Sequence, residues 1–333
     1  MRQATPALQY VQTLERDLAG DMGVSLEASN ASVPGDDQYH TNGAETVSLP
    51  PMDPYGPKRW IDIFSMGTNA FTWTISAAPF VHFSQTTGTL SPNASNSDIR
   101  IYMSIDWSAC PPGSNTTAIN ITSSTNYGTQ YSMPTINLPY NHTVLPSTFT
   151  SGFVESDAHL AMEAEHYTKL TPASNLTYTL LPGNGRTLSA LTLSDYLAPS
   201  LTTSTAPLLE YDFYSFTPTT NSTAANLTLI LGAGLNTTPS RPLTYAAQID
   251  DLPVQKRAYI IDQPAGAWPL GWYQAVAQAS WQNTTSWGAL PAGQHKLKIW
   301  LLEPGVVLQK LVLDLGGVRK SYLGPPESYL VGV

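Results

Sequence analysis

Two glutamates separated by a single residue, Glu163 and Glu165, are the part of the sequence that most directly suggests chemistry. On a strand, side chains at positions i and i+2 project from the same face, with Cα atoms about 6.5 Å apart. A glycosidase needs two carboxylates at a defined separation, so a catalytic pair is one interpretation. An acid and a base must flank one bond, however, whereas a strand pair points in one direction. Solvated or hydrogen-bonded carboxylates at a strand edge are the simpler alternative.

Tryptophans are concentrated near the C-terminus, at Trp268, Trp272, Trp281, Trp287 and Trp300. Flat aromatic faces stack on sugar rings, but β-sandwiches also bury tryptophans in their cores. Trp268 and Trp272 lie in or beside the Gly/Pro-rich stretch 264–271, which favours exposure. We therefore predict that these two contact a glycan, and that Trp300, in the middle of a strand-like run, belongs to the core.

Other reactive groups give weaker signals. The histidines do not cluster at metal-ligand spacing, and His166, beside Glu165, is interpreted as a structural hydrogen-bonding partner. Asp36 and Asp37 are typical of a turn with side-chain-to-backbone hydrogen bonds. Cys110 is the only cysteine, which excludes an internal disulfide, and it is interpreted as a small, semi-buried apolar residue.

Charge and hydropathy exclude two classes of partner. The net charge is −9, whereas nucleic-acid binding needs a basic face that displaces counterions. No apolar stretch approaches the roughly 20 residues that span a bilayer. Charged residues make up only 12% of the chain, so Ser, Thr and Asn must hydrate much of the surface.

Glycosylation sequons are more frequent than chance predicts in a chain this rich in Ser and Thr. They begin at Asn30, Asn93, Asn115, Asn120, Asn141, Asn175, Asn221, Asn226, Asn236 and Asn283. This pattern is typical of a secreted glycoprotein, the alternative being a Thr-rich β protein with coincidental matches. Residues 1–20 lack the apolar segment of a signal peptide, so the extracellular location is expected of a larger parent protein.

The periodicity of the chain predicts a mainly β protein. Leu8, Val11, Leu14 and Leu18 have helical spacing, so residues 1–28 are predicted to be a short helical remnant of a preceding domain. An irregular linker follows at 29–58. From Trp60 the period is two, which predicts β-sandwich domains at 59–150 and 156–333.

Several strings, taken in order, resemble glycoside hydrolase family 115. They are ASVPGDDQYH (31–40), LPPMDPYGP (49–57), RWIDIF (59–64), EAEHY (163–167), PGNGRT (182–187), LEYDFY (209–214), LKIW (297–300), EPGVVLQK (303–310) and SYLGPPES (321–328). The resemblance covers almost the whole chain and identifies 156–333 with the family's C-terminal domain. More weakly, the region around 85–90 resembles immunoglobulin-like modules, and the last domain a jelly-roll of the carbohydrate-binding-module type.

The resemblance implies a relation to xylan α-1,2-glucuronidases, inverting enzymes that remove (4-O-methyl)glucuronic acid from xylan. Their active site lies in a (β/α)8 barrel of about 250 residues, for which this chain has no room. We expect no catalytic residues here, no activity of the chain alone, and a scaffolding role with contact to xylan or glucuronoxylan. Assembly into a homodimer is one form that this scaffolding role can take. The alternative is a free-standing carbohydrate-binding or adhesion protein.

A structural calcium ion is a further implication of resemblance. Glu-Ala-Glu on an early strand resembles carbohydrate-binding modules of families 6 and 35, where such glutamates and an aspartate on the last strand bind calcium. Glu163, Glu165 and Asp314 would be the ligands here, and carboxylate oxygens suit this ion. Hydrogen-bonded edge carboxylates remain the alternative, and no other cofactor is expected.

Overall fold

The computed structural model describes residues 22–29, 32–33, 47–92, 95–124, 135–236, 238, 240–261 and 266–332. The chain divides into two compact units. The first comprises Met1–Met52 and Pro57–His142, and the second comprises Asp53–Gly56 and Thr143–Val333. Each unit contains a hydrophobic core of its own, so each is described by itself.

The first unit is a sandwich of two five-stranded sheets in the described residues. Its strands are β1 (Met22–Leu26), β2 (Ser32–Val33), β3 (Val47–Ser48), β4 (Arg59–Ser65), β5 (Phe71–Ser76), β6 (Val81–Phe83), β7 (Thr87–Leu90), β8 (Asp98–Ile105), β9 (Gly113–Ser123) and β10 (Ile136–His142). One sheet has the order β2-β1-β4-β8-β6 and the other β3-β10-β9-β5-β7.

Alternation of apolar and polar residues produces this sandwich. In β5 the side chains of Phe71, Trp73 and Ile75 are buried, and the residues between them are exposed. Residues from both sheets join one core cluster, because each strand turns one face inward.

The structure of this unit corrects part of the predicted helical remnant. Residues 22–26, placed at its end, form strand β1, which pairs antiparallel with β4. Val24 and Leu26 are buried in the sandwich core, so period-two burial decides their conformation. Residues 1–21 lie outside the described part of the chain.

The second unit is a larger sandwich. Its strands are β11 (Gly152–Val154), β12 (His159–Glu163), β13 (Lys169–Thr171), β14 (Tyr178–Leu181), β15 (Ala190–Leu193), β16 (Leu208–Ser215), β17 (Asn226–Gly232), β18 (Leu243–Ile249), β19 (Gln255–Ile260), β20 (Ser280–Ser286), β21 (Gly293–Leu301), β22 (Val307–Asp314) and β23 (Tyr329–Val331). One sheet has the order β19-β18-β21-β16-β11-β23, with β13 also on β16. The other has the order β14-β15-β22-β17-β20, with β12 also on β22.

A single short helix, α1 (Trp272–Gln278), occurs in the described residues. It begins after Gly271 and ends before Ala279, and both flanking residues have positive φ, 83° and 51°. Such left-handed residues mark the points where the chain enters and leaves a helix. The helix packs against β20, which lies at the edge of its sheet.

The predicted fold class is confirmed, because the described chain is mainly β and forms two sandwiches. Trp300 is 7% exposed and belongs to the core, as predicted. The strand that carries Glu163 ends at that residue, where a turn begins.

Candidate functional site

Glu163 lies at the end of β12, directly opposite Lys310 of β22. Lys310 Nζ is 3.0 Å from Glu163 Oε1, and the two side chains are 0% and 2% exposed. Thr187 donates a second hydrogen bond to the same carboxylate oxygen. Glu163 Oε2 is buried without a hydrogen-bond partner in the described residues. The carboxylate is therefore neutralised by a lysine rather than presented to a substrate.

Glu165 lies beyond the end of β12, in a turn, so the strand spacing assumed for the two glutamates is not met. Its Oε1 accepts a hydrogen bond from the backbone N–H of Ser189, 3.0 Å away. Because Thr187 contacts Glu163, both glutamates hold the segment between β14 and β15. Gln309 adds a further bond to this segment, from Nε2 to the carbonyl of Asn184. The two carboxylates thus anchor a loop.

Asp314 lies at the opposite end of the β12–β22 ladder, where it pairs with His159. Its Oδ1 accepts hydrogen bonds from the backbone N–H groups of Gly316 and Val318. In the part of the chain that the structure describes, no three His, Cys, Asp or Glu side chains come together as metal ligands. The strand register separates Asp314 from Glu163, so the three expected calcium ligands do not lie together.

His166 does pair with a carboxylate, but its partner is Glu327. His166 Nδ1 lies 2.7 Å from Glu327 Oε1, which also accepts from the backbone N–H of Glu163. Cys110 is buried, as expected, and this burial raises the pKa of its thiol. Asp36 and Asp37 lie outside the described residues.

Arg186 connects the anchored loop to α1 and β20. Its Nη1 donates to the carbonyl of Gln278, at the end of α1, and to Ser280 Oγ, at the start of β20. Its other nitrogens donate to the carbonyl of Tyr322, and the guanidinium lies over the Tyr322 ring. The buried ion pair and the loop thereby support the surface around α1.

Three tryptophans form a ladder from the core to the surface: Trp281, Trp272 and Trp268. Trp281 is 7% exposed and donates from Nε1 to the carbonyl of Gly234. Trp272, half-buried, leans on it with ring centroids 6.0 Å apart. Trp268 stacks parallel to Trp272, with centroids 5.3 Å apart and an interplanar angle of 4°. The outermost ring is 55% exposed, so Trp268 presents an indole to solvent.

A polar hollow lies beside the ladder, between α1 and β20. Its volume is about 370 Å³, and Leu270 and Trp281 form apolar parts of its wall. Four carboxamides line it: Gln274, Gln278, Gln282 and Asn283. We call this hollow the amide groove. Sequence reasoning missed three of these residues, because no charge or spacing distinguishes a glutamine from an ordinary surface residue.

The predicted sequons fall into distinct environments. Asn115, Asn120, Asn175 and Asn221 are exposed, whereas Asn141, Asn226, Asn236 and Asn283 are half-buried. Asn30 and Asn93 lie outside the described residues. Asn283 lines the amide groove, and Tyr245 donates its hydroxyl to Asn283 Oδ1 at 2.6 Å.

The described residues include no helix with the length and apolar character that crossing a membrane requires. No curated protein matches the chain.

Solved structures that are similar to the chain include carbohydrate-active enzymes and carbohydrate-binding modules. One is a family GH115 4-O-methyl-α-glucuronidase, BtGH115A, with specificity for decorated arabinogalactans. It is 14% identical to this chain with a TM-score of 0.35, and the match covers 52% of this chain and 19% of that enzyme. A family 35 carbohydrate-binding module from Clostridium thermocellum is 10% identical, with a TM-score of 0.30 and coverage of 46% and 97%. CsCBM6-3 from Clostridium stercorarium, in complex with cellobiose, is 13% identical, with a TM-score of 0.28 and coverage of 46% and 92%.

A family model gives the decisive match. The model of the Glycosyl hydrolase family 115 C-terminal domain matches residues 152–327, which is more than half of the 333-residue chain and nearly all of its second unit. The chain spans about a fifth of the length of the solved family 115 enzyme described above. The chain therefore belongs to glycoside hydrolase family 115 and carries that family's C-terminal domain.

Proposed function

We propose that this chain is a non-catalytic accessory region of a secreted xylan α-1,2-glucuronidase, and that its second unit holds the polysaccharide. The observation that carries this proposal is the exposed indole of Trp268, backed by Trp272 in the tryptophan ladder.

The ladder suits a sugar-binding platform because it is pre-organised. One face of Trp268 is supported by a parallel ring, which in turn rests on the core residue Trp281. The side chain therefore loses little conformational freedom when a sugar ring stacks on it. Removing one apolar ring face from water contributes about 1–3 kcal/mol, enough for weak, reversible retention of a polymer.

The same unit is poorly suited to hydrolysis at the glutamates that the sequence singles out. Glu163 is 2% exposed and paired with Lys310, so its carboxylate does not reach a glycosidic oxygen. Glu165 accepts a backbone hydrogen bond from Ser189. We therefore expect the purified chain to release no glucuronic acid from glucuronoxylan.

Affinity electrophoresis in gels containing glucuronoxylan tests this function. Wild-type protein should migrate more slowly with xylan than without it, and Trp268→Ala should lower the apparent affinity about tenfold or more. Tyr196→Ala, which removes an exposed ring outside the ladder and the groove, is the matched control and should behave as wild type. Identical migration of the wild-type protein with and without polysaccharide would refute glycan binding.

A further inference from the structure

We infer that the amide groove is a second sugar subsite and that it selects an uncharged, hydroxyl-rich sugar ring. This inference rests on the proposed function, because the groove adjoins the tryptophan ladder and shares Trp281 with it. It adds a specificity that the exposed indole alone cannot provide, since a stacking surface accepts any sugar with an apolar face.

The first argument is the chemistry of the lining. A carboxamide carries one donor group and one acceptor group, as does each hydroxyl of a sugar. Gln274, Gln278, Gln282 and Asn283 all contribute to the lining of this hollow, and Thr284 lines it as well. Paired amides and paired hydroxyls can therefore satisfy one another without a charged group on either side.

The second argument is orientation. Gln282 Nε2 donates to Gln278 Oε1 at 3.2 Å, and Tyr245 donates to Asn283 Oδ1 at 2.6 Å. These bonds use one end of each amide and leave the Gln278 and Asn283 amino groups and the Gln282 carbonyl for a ligand. Side chains held in this way bind with a smaller entropic cost than free ones.

The third argument is charge. None of the described side chains that line the groove is an acid, a base or a histidine. The cation joined to its lining, Arg186, directs its donors to Gln278 O, Ser280 Oγ and Tyr322 O. A carboxylate entering the groove would lose hydration without gaining a counter-ion, which costs free energy. A neutral sugar ring carries no charge, so it does not lose the hydration of an ion.

Calorimetry with two oligosaccharides of equal length tests the inference. One is unsubstituted xylohexaose, and the other is a xylohexaose that carries a glucuronic acid branch. We expect the neutral ligand to bind at least about fivefold more tightly, with an affinity that changes little between low and high salt. Gln282→Glu should lower the affinity for the neutral ligand, whereas Gln294→Glu, the same change at an exposed site outside the groove, should not.

The possible results distinguish failure of the neutral subsite from failure of the proposed function. Equal or tighter binding of the acidic ligand, or an equal loss in Gln282→Glu and Gln294→Glu, overturns the neutral subsite while glycan binding through Trp268 stands. Absence of binding to both ligands overturns the proposed function and the subsite together. Circular dichroism spectra verify that the Gln282→Glu variant has the native fold.

Discussion

Lys310 Nζ lies 3.0 Å from Glu163 Oε1, and neither side chain is more than 2% exposed. The two residues face each other at the last pair of the β12–β22 ladder, and Lys310 also lies opposite the apolar residue Ile230 of β17. Two charges removed from water depend on each other, because either one alone would lose its hydration without compensation. The pair therefore fixes which residues of β12 and β22 stand opposite each other.

Removal of one partner should destabilise the second unit strongly. Glu163→Gln keeps the shape of the side chain but leaves the Lys310 ammonium unpaired, and we expect a loss of about 3–5 kcal/mol in the free energy of unfolding. Urea denaturation measures this loss. The double variant Glu163→Leu, Lys310→Met should recover most of the stability, and a double variant as unstable as the sum of its parts would contradict the coupling.

The melting temperature should not respond to calcium. Lys310 already supplies the positive charge at Glu163, and Asp314 is held by backbone N–H groups at the other end of β22. An ion that binds the native state raises the melting temperature with its concentration. We expect coincident thermal scans in calcium and in chelator. A calcium-dependent rise that disappears in Glu165→Gln would restore the metal site.

Glu210 should make the stability of the second unit depend on acid pH. Burial acts to raise the pKa of Glu210, but hydrogen bonds and charges from Lys296 and Lys169 outweigh it and lower the pKa below its ordinary value. A lowered pKa stabilises the native state above the unfolded-state pKa of about 4.3, and this contribution is lost as pH falls through the native pKa.

The variant Glu210→Gln isolates this contribution. At neutral pH we expect it to be about 1 kcal/mol less stable than wild type, because Lys169 and Lys296 are partly exposed and solvent screens them. The difference should shrink below about pH 4. Urea titrations at several pH values measure it, and a difference that stays constant into the acid range would count against the assignment.

Trp300 and Trp268 should respond oppositely to truncation. Trp300→Ala empties a buried site in β21 and should cost about 3–5 kcal/mol of stability. Trp268→Ala removes an exposed ring and should change stability by about 0.5 kcal/mol or less. Chemical denaturation of both variants provides the comparison. A large destabilisation by Trp268→Ala would mean that its ring serves packing rather than recognition.

Asn283 should carry no glycan in the folded protein, although it begins a sequon. Its amide accepts the Tyr245 hydroxyl, and Thr285, the third residue of the sequon, is 1% exposed. The exposed residues Asn175 and Asn221 should be modified in a eukaryotic secretory host. Peptide mass spectrometry after enzymatic deglycosylation in heavy-oxygen water reports each site, and full occupancy at Asn283 would contradict this placement.

The sequence predicted the sandwiches because alternation and burial coincide in strands such as β5. It also distinguished the exposed Trp268 from the buried Trp300 through the local setting of each residue. Both inferences depend on short-range patterns. These patterns predict whether a side chain faces the core, but they do not predict which residues it contacts there.

Short-range sequence patterns do not show which residues lie next to the carboxylates in the fold. Asp314 was expected beside Glu163, but the register of β12 on β22 places Lys310 there instead. A lysine within the apolar run 306–313 is a visible signal of a buried cation, although nothing local identifies its partner. The amide groove was missed for a similar reason, since α1 has only seven residues and no clear periodicity.

The position of helix α1 also bears on aggregation of this protein at high concentration. It packs on β20, the last strand of its sheet, whose sequence SWQNTTS is rich in amide and hydroxyl side chains. An uncovered edge of this composition is a template on which another chain can add a strand, and stacked amides stabilise such growth. The helix that frames the groove also lies against this edge strand, at which another chain would add. Changes in the α1 segment that alter sugar preference should accordingly be checked for aggregation.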